Sequence, residues 1–164
     1  MKYTLAIDQS TSATKAMLFD EKATLFARTS VEHKQFYPQA GWVEHDAEEI
    51  LANTYAAVKE LLQTSKVAAT DVPSVAITNQ RETVVVWDKR TGKPVYNAVV
   101  WQCNRGAKIC DDLIAQGHEP MVTEKTGLII NPYFSASGVK WILDNVKGAK
   151  EAATGGHLLL GTMD

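Results

Sequence analysis

The chain has 164 residues, 45% of them apolar and 22% charged, with a formal charge of −2, which is enough for a domain with a real core and ordinary for a soluble globular protein. That balance supplies neither a basic field for nucleic acid nor a polybasic patch for a membrane surface. No apolar run approaches the ~20 residues of a membrane helix, and the stretch after Lys2 meets Asp8 too soon for a signal peptide, so a cytosolic protein is the expectation.

Residues 3–8 and 14–20 read as apolar strands and residues 24–33 as a third, more polar strand nearer an edge. The short connection Glu21-Lys22-Ala23 makes the three an antiparallel meander. After a loop rich in turn and aromatic residues, Asp46 caps a helix with Glu49 as its capping-box partner. In this helix, 46–63, the residues Ala47, Ile50, Leu51, Tyr55, Val58, Leu61 and Leu62 form one apolar stripe. The runs Val75-Ala76-Ile77 and Val84-Val85-Val86-Trp87 are continuous, which predicts strands buried on both faces.

Asp88–Gly92 is a turn and Val95–Trp101 an extended segment. Helix 103–116 ends at Gly117, a short helix near 119–126 ends at Gly127, and Asn131-Pro132 turns the chain. Helix 137–146 carries Val139, Ile142, Leu143 and Val146 inward, and Gly138 lowers its stability by up to ~1 kcal/mol. Strand 157–160 reads as buried and stops at Asp164 with nothing to cover it, so part of a longer protein is expected. Strands and helices in this order give an α/β layered domain.

Cys103 and Cys110 on one helix would stand ~10 Å apart, too far for a disulfide. His33, His45, His118 and His157 lack zinc spacing and read as surface or loop residues.

Three polar clusters remain. The segment Asp8-Gln9-Ser10-Thr11-Ser12-Ala13-Thr14 offers an acid at a strand end and a turn of small hydroxyl residues. It suits close approach to a polyphosphate, with Asp8 facing its metal ion, or it is an ordinary hairpin with a polar loop. The run Thr78-Asn79-Gln80-Arg81-Glu82-Thr83 interrupts two apolar strands. It is a solvated hairpin loop, or donors and an acceptor for a neutral polyhydroxyl compound; the lack of Gly and Pro favours the second. Trp101-Gln102-Cys103 is a platform for a carbohydrate or a core tryptophan with amides beside it, and Tyr133 is open between packing and hydrogen bonding. Neither a Gly-rich phosphate loop of the Walker type nor a dinucleotide fingerprint is present.

Taken in order, the sequence resembles the FGGY family of carbohydrate kinases over essentially its whole length. The resemblance rests on Ala6-Ile7-Asp8-Gln9 with its Ser/Thr turn, Tyr37-Pro38 with Gly41-Trp42-Val43-Glu44-His45-Asp46, and Ile77-Thr78-Asn79-Gln80-Arg81-Glu82-Thr83. Trp101-Gln102-Cys103, Thr126-Gly127-Leu128 and Pro132-Tyr133-Phe134-Ser135 complete it. Within the family, the Asn-Gln-Arg-Glu-Thr and Trp-Gln-Cys runs are those of the branch that phosphorylates glycerol.

The resemblance implies a ribonuclease-H-like lobe of the actin and Hsp70 superfamily, with a mixed sheet flanked by helices and incomplete at its C-terminus. It implies transfer of the ATP γ-phosphoryl group to glycerol, with Mg²⁺, in a full-length protein that is a homo-oligomer. Arg81, Glu82 and Tyr133 would then hold glycerol hydroxyls and Trp101 its carbon chain. Thr11, Ser12 and Lys15 would lie by the phosphates and Asp8 by the Mg²⁺ shell, through water. The general base would lie beyond residue 164, so the chain alone is expected to be inactive. Ser10 stands where the family usually has glycine and Lys15 where it has arginine. A kinase for another small polyol or sugar, or a non-catalytic actin-like binding module, are the competing readings.

Overall fold

Burial alternates along the first strand, with Leu5, Ile7 and Gln9 turned inward, and the same period of two runs through the meander that follows it. The computed structural model describes residues 1–164. In chain order it contains β1 (Thr4–Gln9), β2 (Ala13–Phe19), β3 (Leu25–Glu32), β4 (Glu44–His45), α1 (Ala47–Ser65) and β5 (Ser74–Asn79). There follow β6 (Val85–Asp88), β7 (Lys93–Pro94), β8 (Ala98–Val99), α2 (Ala107–Ala115), α3 (Glu119–Thr126), α4 (Ser135–Asn145), α5 (Ala149–Thr154) and β9 (Leu158–Gly161). No helix is long and apolar enough to cross a membrane. The chain divides into two units: Met1–Gln35 with His45–Gln80 and Met163–Asp164, and Phe36–Glu44 with Arg81–Thr162.

The first unit is built on a mixed sheet of order β3-β2-β1-β5. The meander is antiparallel, and β5 pairs with β1 in parallel. Tyr3, Leu5, Ile7, Ala16 and Leu18 meet Ala57 and Leu61 of α1 in one core. Leu18 and Leu61 are fully buried, each worth about 2 kcal/mol of apolar transfer. Asp46 caps α1 by accepting the Glu48 and Glu49 N–H groups. Glu49 does not close a capping box: its carboxylate accepts from the Lys34 N–H instead.

Burial departs from the pattern reading in three places. Leu51 and Tyr55 of α1 are 54% and 70% exposed, because the face that meets the sheet is the narrower row Ile50, Ala57, Leu61. Val75 and Ile77 are exposed although they stand in register beside the buried Leu5 and Ile7. They share that face, but α1 packs over β2 and β3 and leaves the β5 flank uncovered. Leu159 and Leu160 of β9 are likewise exposed, since β9 is an outer strand.

The second unit has its own core of Val43, Val84, Val86, Val99, Val100, Cys103 and Ile142. β6 pairs with β7 and β9, both antiparallel. β5 and β6 therefore belong to different sheets, and the polar run between them is not a hairpin loop. The helix expected from residue 103 starts at Ala107. The Cys103 N–H is taken by Val100 O and the Asn104 N–H by Gly41 O, so the chain turns here first. Cys103 thus lies off the helix, and both cysteines are buried free thiols. Gly41, at φ 74°, has the Asn104 side chain where a Cβ would stand, 2.4 Å away at the nearest. Gly138 is no mere weak point: a Cβ there would meet Val99 and Val84 at 3.3 and 3.4 Å, so glycine lets α4 settle on this core. α5 was not foreseen; it starts after Gly148, whose φ is 80°.

A buried ion pair sits in this unit. Arg105 Nη2 donates to Glu44 Oε1 at 2.6 Å, with side-chain exposures of 0% and 4%. Tyr96 Oη and Asn97 Nδ2 also donate to Glu44, at 2.7 and 2.9 Å. The guanidinium lies 4.2 Å from the Trp42 ring centre and 4.6 Å from that of Trp141, a desolvated cation–π arrangement. Burial pushes the Glu44 carboxyl up, but the hydrogen bonds from Tyr96, Arg105 and Asn97 outweigh it and hold the group below its ordinary range. Arg105→Met strips the counter-charge from a buried carboxylate and should destabilise the fold by about 3–5 kcal/mol, measured as a lower urea midpoint at unchanged m-value.

Candidate active site

The predicted site residues fall into two groups, one in each unit. In the first, Asp8 is the penultimate residue of β1 and stands opposite Lys15 of β2 in the ladder. Lys15 Nζ donates to Asp8 Oδ2 at 3.2 Å and lies 3.5 Å from Ser10 Oγ. The pair is part exposed, at 45% and 29%, so it is weak and can part when an anion and a cation compete for its members. Ser10 Oγ donates to Ala13 O at 2.8 Å and closes the turn. Ser10 is not among the positive-φ residues, so serine replaces glycine there without left-handed strain.

No cluster of three or more His, Cys, Asp or Glu side chains surrounds Asp8. One carboxylate beside small hydroxyls fits Mg²⁺, which keeps most of its waters and borrows phosphate oxygens. It does not fit a metal held by protein ligands alone. Thr11 and Ser12 lie in the turn between the two strands.

The turn is held from β3 by a group that sequence reasoning misplaced. His33 and His45, expected at the surface, are 8% and 0% exposed. The His33 N–H donates to Ser12 O at 2.9 Å. Its ring bridges Thr14 Oγ1 at 3.1 Å and Asn53 Nδ2 at 3.2 Å. His45 Nδ1 faces Lys34 O at 3.2 Å, which fixes its proton on that nitrogen. The two rings are 6.1 Å apart. Nothing in the spacing of the histidines signals this; their positions at the end of β3 and just before α1 do so only once the sheet is built.

The second group begins at Arg81. Its guanidinium makes no ion pair or hydrogen bond and is exposed. Glu82 has a left-handed backbone, φ 66°, unusual for a residue with a long side chain. Its Oε2 accepts from the Ser135 N–H at 2.9 Å and from Ser135 Oγ at 2.7 Å, while Oε1 has no protein partner. Trp101 is partly buried against the core of this unit, so it packs and yet keeps an open edge. The Tyr133 ring stands 5.9 Å from it at 67°. Tyr133 itself is 37% exposed, on a turn in which its N–H bonds Asn131 Oδ1 at 2.9 Å.

Arg81, Glu82, Trp101 and Tyr133 thus lie in one unit, and Asp8, Thr11, Ser12 and Lys15 in the other. Sequence reasoning gave Ser135 no role. The signal lay in Pro132-Tyr133-Phe134-Ser135, where a serine opens a helix without a side-chain cap before it. It also missed a largely aliphatic cavity of about 630 Å³ bordered by Glu82, Cys110, Leu113, Leu128, Phe134 and Ser135.

A sequence model of the FGGY family of carbohydrate kinases, N-terminal domain, matches residues 3–163. The chain belongs to the FGGY family of carbohydrate kinases. Among curated FGGY relatives, glycerol kinase 1 of Thermotoga maritima is 54% identical over 162 residues, which is 99% of this chain and 33% of the relative. The glycerol kinase of Shewanella frigidimarina is 54% identical over 163 residues, with the same coverage. The chain therefore spans about a third of the length of these relatives. Among solved structures, Plasmodium falciparum glycerol kinase with ADP superposes with a TM-score of 0.90 at 36% identity, covering 99% of this chain and 33% of that one. A xylulose kinase from Rhodospirillum rubrum, 22% identical, gives 0.82 over 92% of this chain and 31% of its own, a likeness of fold alone. The mixed sheet with its flanking helix is thus the FGGY lobe of the actin and Hsp70-like superfamily.

Burial lowers the proton affinity of both histidines, and the neighbouring imidazole of His45 lowers that of His33 further; Glu49 opposes this at both. The unfolded chain binds protons near the ordinary value of 6.5, where the folded rings still refuse them. Stability is complete above that pH and is lost as pH falls through it. The urea midpoint should drop between pH 7.5 and 5.5, and His45→Gln should flatten that drop.

Proposed function

We propose that this chain is the N-terminal third of an ATP-dependent glycerol kinase, and that its second unit supplies most of the polyol-binding groups. The reading rests on Arg81 and Glu82. Adjacent residues present an unpartnered guanidinium and an unpartnered carboxylate oxygen, in a family whose relatives at about 50% identity are named glycerol kinases. A donor fork and an acceptor on adjacent residues suit the hydroxyls of a small neutral polyol. Trp101 and Tyr133 add apolar faces for C–H groups, and the tyrosine a hydroxyl.

In this reading ATP is the second substrate, and its Mg²⁺ neutralises charge on the phosphates. Ser10, Thr11 and Ser12 approach the phosphates with little side-chain bulk. Lys15, now paired with Asp8, would oppose phosphate charge as a point charge, and Asp8 would hold the hydrated cation. Such positioning and charge neutralisation make up most of phosphoryl-transfer catalysis. As the family resemblance implies, the base that takes the hydroxyl proton lies outside these 164 residues, and turnover belongs to the whole, cytoplasmic enzyme.

A coupled kinase assay at saturating Mg²⁺, with a full-length enzyme carrying this chain and a polyol panel, tests the reading. Glycerol should be the preferred acceptor, and the 164-residue chain alone should show no turnover above a blank. Arg81→Lys and Glu82→Gln should each lower kcat/KM for glycerol by roughly 10- to 100-fold. Preference for another polyol would move the substrate and keep the reaction; activity of the isolated chain would overturn the assignment of the base.

A further inference from the structure

Glu82 is held in place by a residue the proposed function does not use. Its backbone lies in the left-handed region without being glycine, a conformation that persists only where the surroundings over-determine it. Two bonds from Ser135 hold its side chain. The Ser135 N–H and hydroxyl both point at Oε2, at 2.9 and 2.7 Å, and the hydroxyl is also 3.0 Å from the Glu82 carbonyl oxygen. The hydroxyl has one proton, and the shorter contact gives it to the carboxylate.

Ser135 is the first residue of α4, and the residue before it makes no side-chain cap. The Glu82 carboxylate therefore takes the place of a cap, 53 residues away in sequence, where the helix dipole favours negative charge. One oxygen is consumed and the other left open. A carboxylate fixed at one oxygen presents the second in a single orientation, whereas an unfixed side chain would sample several rotamers.

We infer that Ser135 is the positioning residue for Glu82: by occupying Oε2 it fixes Oε1 as the single acceptor offered to a substrate hydroxyl. This rests on the polyol reading of Arg81 and Glu82, and it adds that orientation, not the mere presence of a carboxylate, sets hydroxyl specificity at this site.

The test uses the full-length enzyme, wild type and the variants Ser135→Ala and Ser135→Thr, with glycerol, propane-1,2-diol and propane-1,3-diol as acceptors. Ser135→Ala keeps the helix N–H and removes the hydroxyl. It should raise KM for glycerol about 10-fold while KM for ATP and the melting temperature stay near wild type. The preference for glycerol over the deoxy analogue lacking the hydroxyl bound by Glu82 should shrink by a similar factor. Ser135→Thr restores a hydroxyl and should recover both. An unchanged glycerol KM and preference in Ser135→Ala would overturn the inference while leaving the kinase reading intact. Equal rises in KM for glycerol and ATP with a lowered melting temperature, not rescued by threonine, would reduce Ser135 to a structural role and also overturn it. A wild-type enzyme that does not phosphorylate glycerol would remove the polyol reading, and this inference with it.

Discussion

Parallel pairing of β1 with β5 is the constraint on which the first unit depends. Adjacent parallel strands need a crossover connection, and here it runs through β2, β3 and α1. The pairing sets Asp8 beside Thr78 and Gln9 beside Asn79, so both strands finish at the same end of the sheet. The Gln80 N–H then closes on Gln9 O at 2.7 Å. The hydroxyl turn and the chain leading to Arg81 both leave from this end. In α/β sheets, the carboxyl ends of parallel strands are where ligands bind, because backbone groups there lose their ladder partners.

Much of this was legible in the sequence because it depends on local chemistry. The meander followed from two apolar runs, a more polar third and a short connection, α1 from Asp46 and helical spacing, and the ends of α2 and α3 from Gly117 and Gly127. The chemical character of the Thr78–Thr83 run was readable too, since apolar flanks make six polar residues conspicuous. Burial was less legible. The hydrophobicity of Val75 and Ile77 says what the residues tolerate, and not whether a helix lies over them; α1 lies over β3, β2 and part of β1 and does not reach β5. Leu51 and Tyr55 fail for the converse reason, as the apolar stripe of α1 is wider than the row Ile50, Ala57, Leu61 that the sheet covers.

What no local pattern could give are the long-range polar partners. His33 meets Thr14 and Asn53, and Glu44 meets Arg105 61 residues away. Each partner taken alone reads as a surface residue. Only when the fold buries both does the absence of water make their pairing obligatory. The Glu82–Ser135 contact is of the same kind, and it turns a backbone outlier into a chemically directed acceptor.

The seat of Arg105 between two indoles has an optical consequence. All four tryptophans, Trp42, Trp87, Trp101 and Trp141, belong to the second unit, and the first has none. Two of them flank a buried guanidinium whose charge perturbs the excited indole ring. Intrinsic indole emission therefore monitors the second unit alone and is blind to the sheet that carries Asp8 and Lys15. A melt followed by that signal and one followed by far-ultraviolet ellipticity would coincide only if the two units unfold together, so the placement of four aromatic residues turns an ordinary spectrometer into a gauge of cooperativity between them.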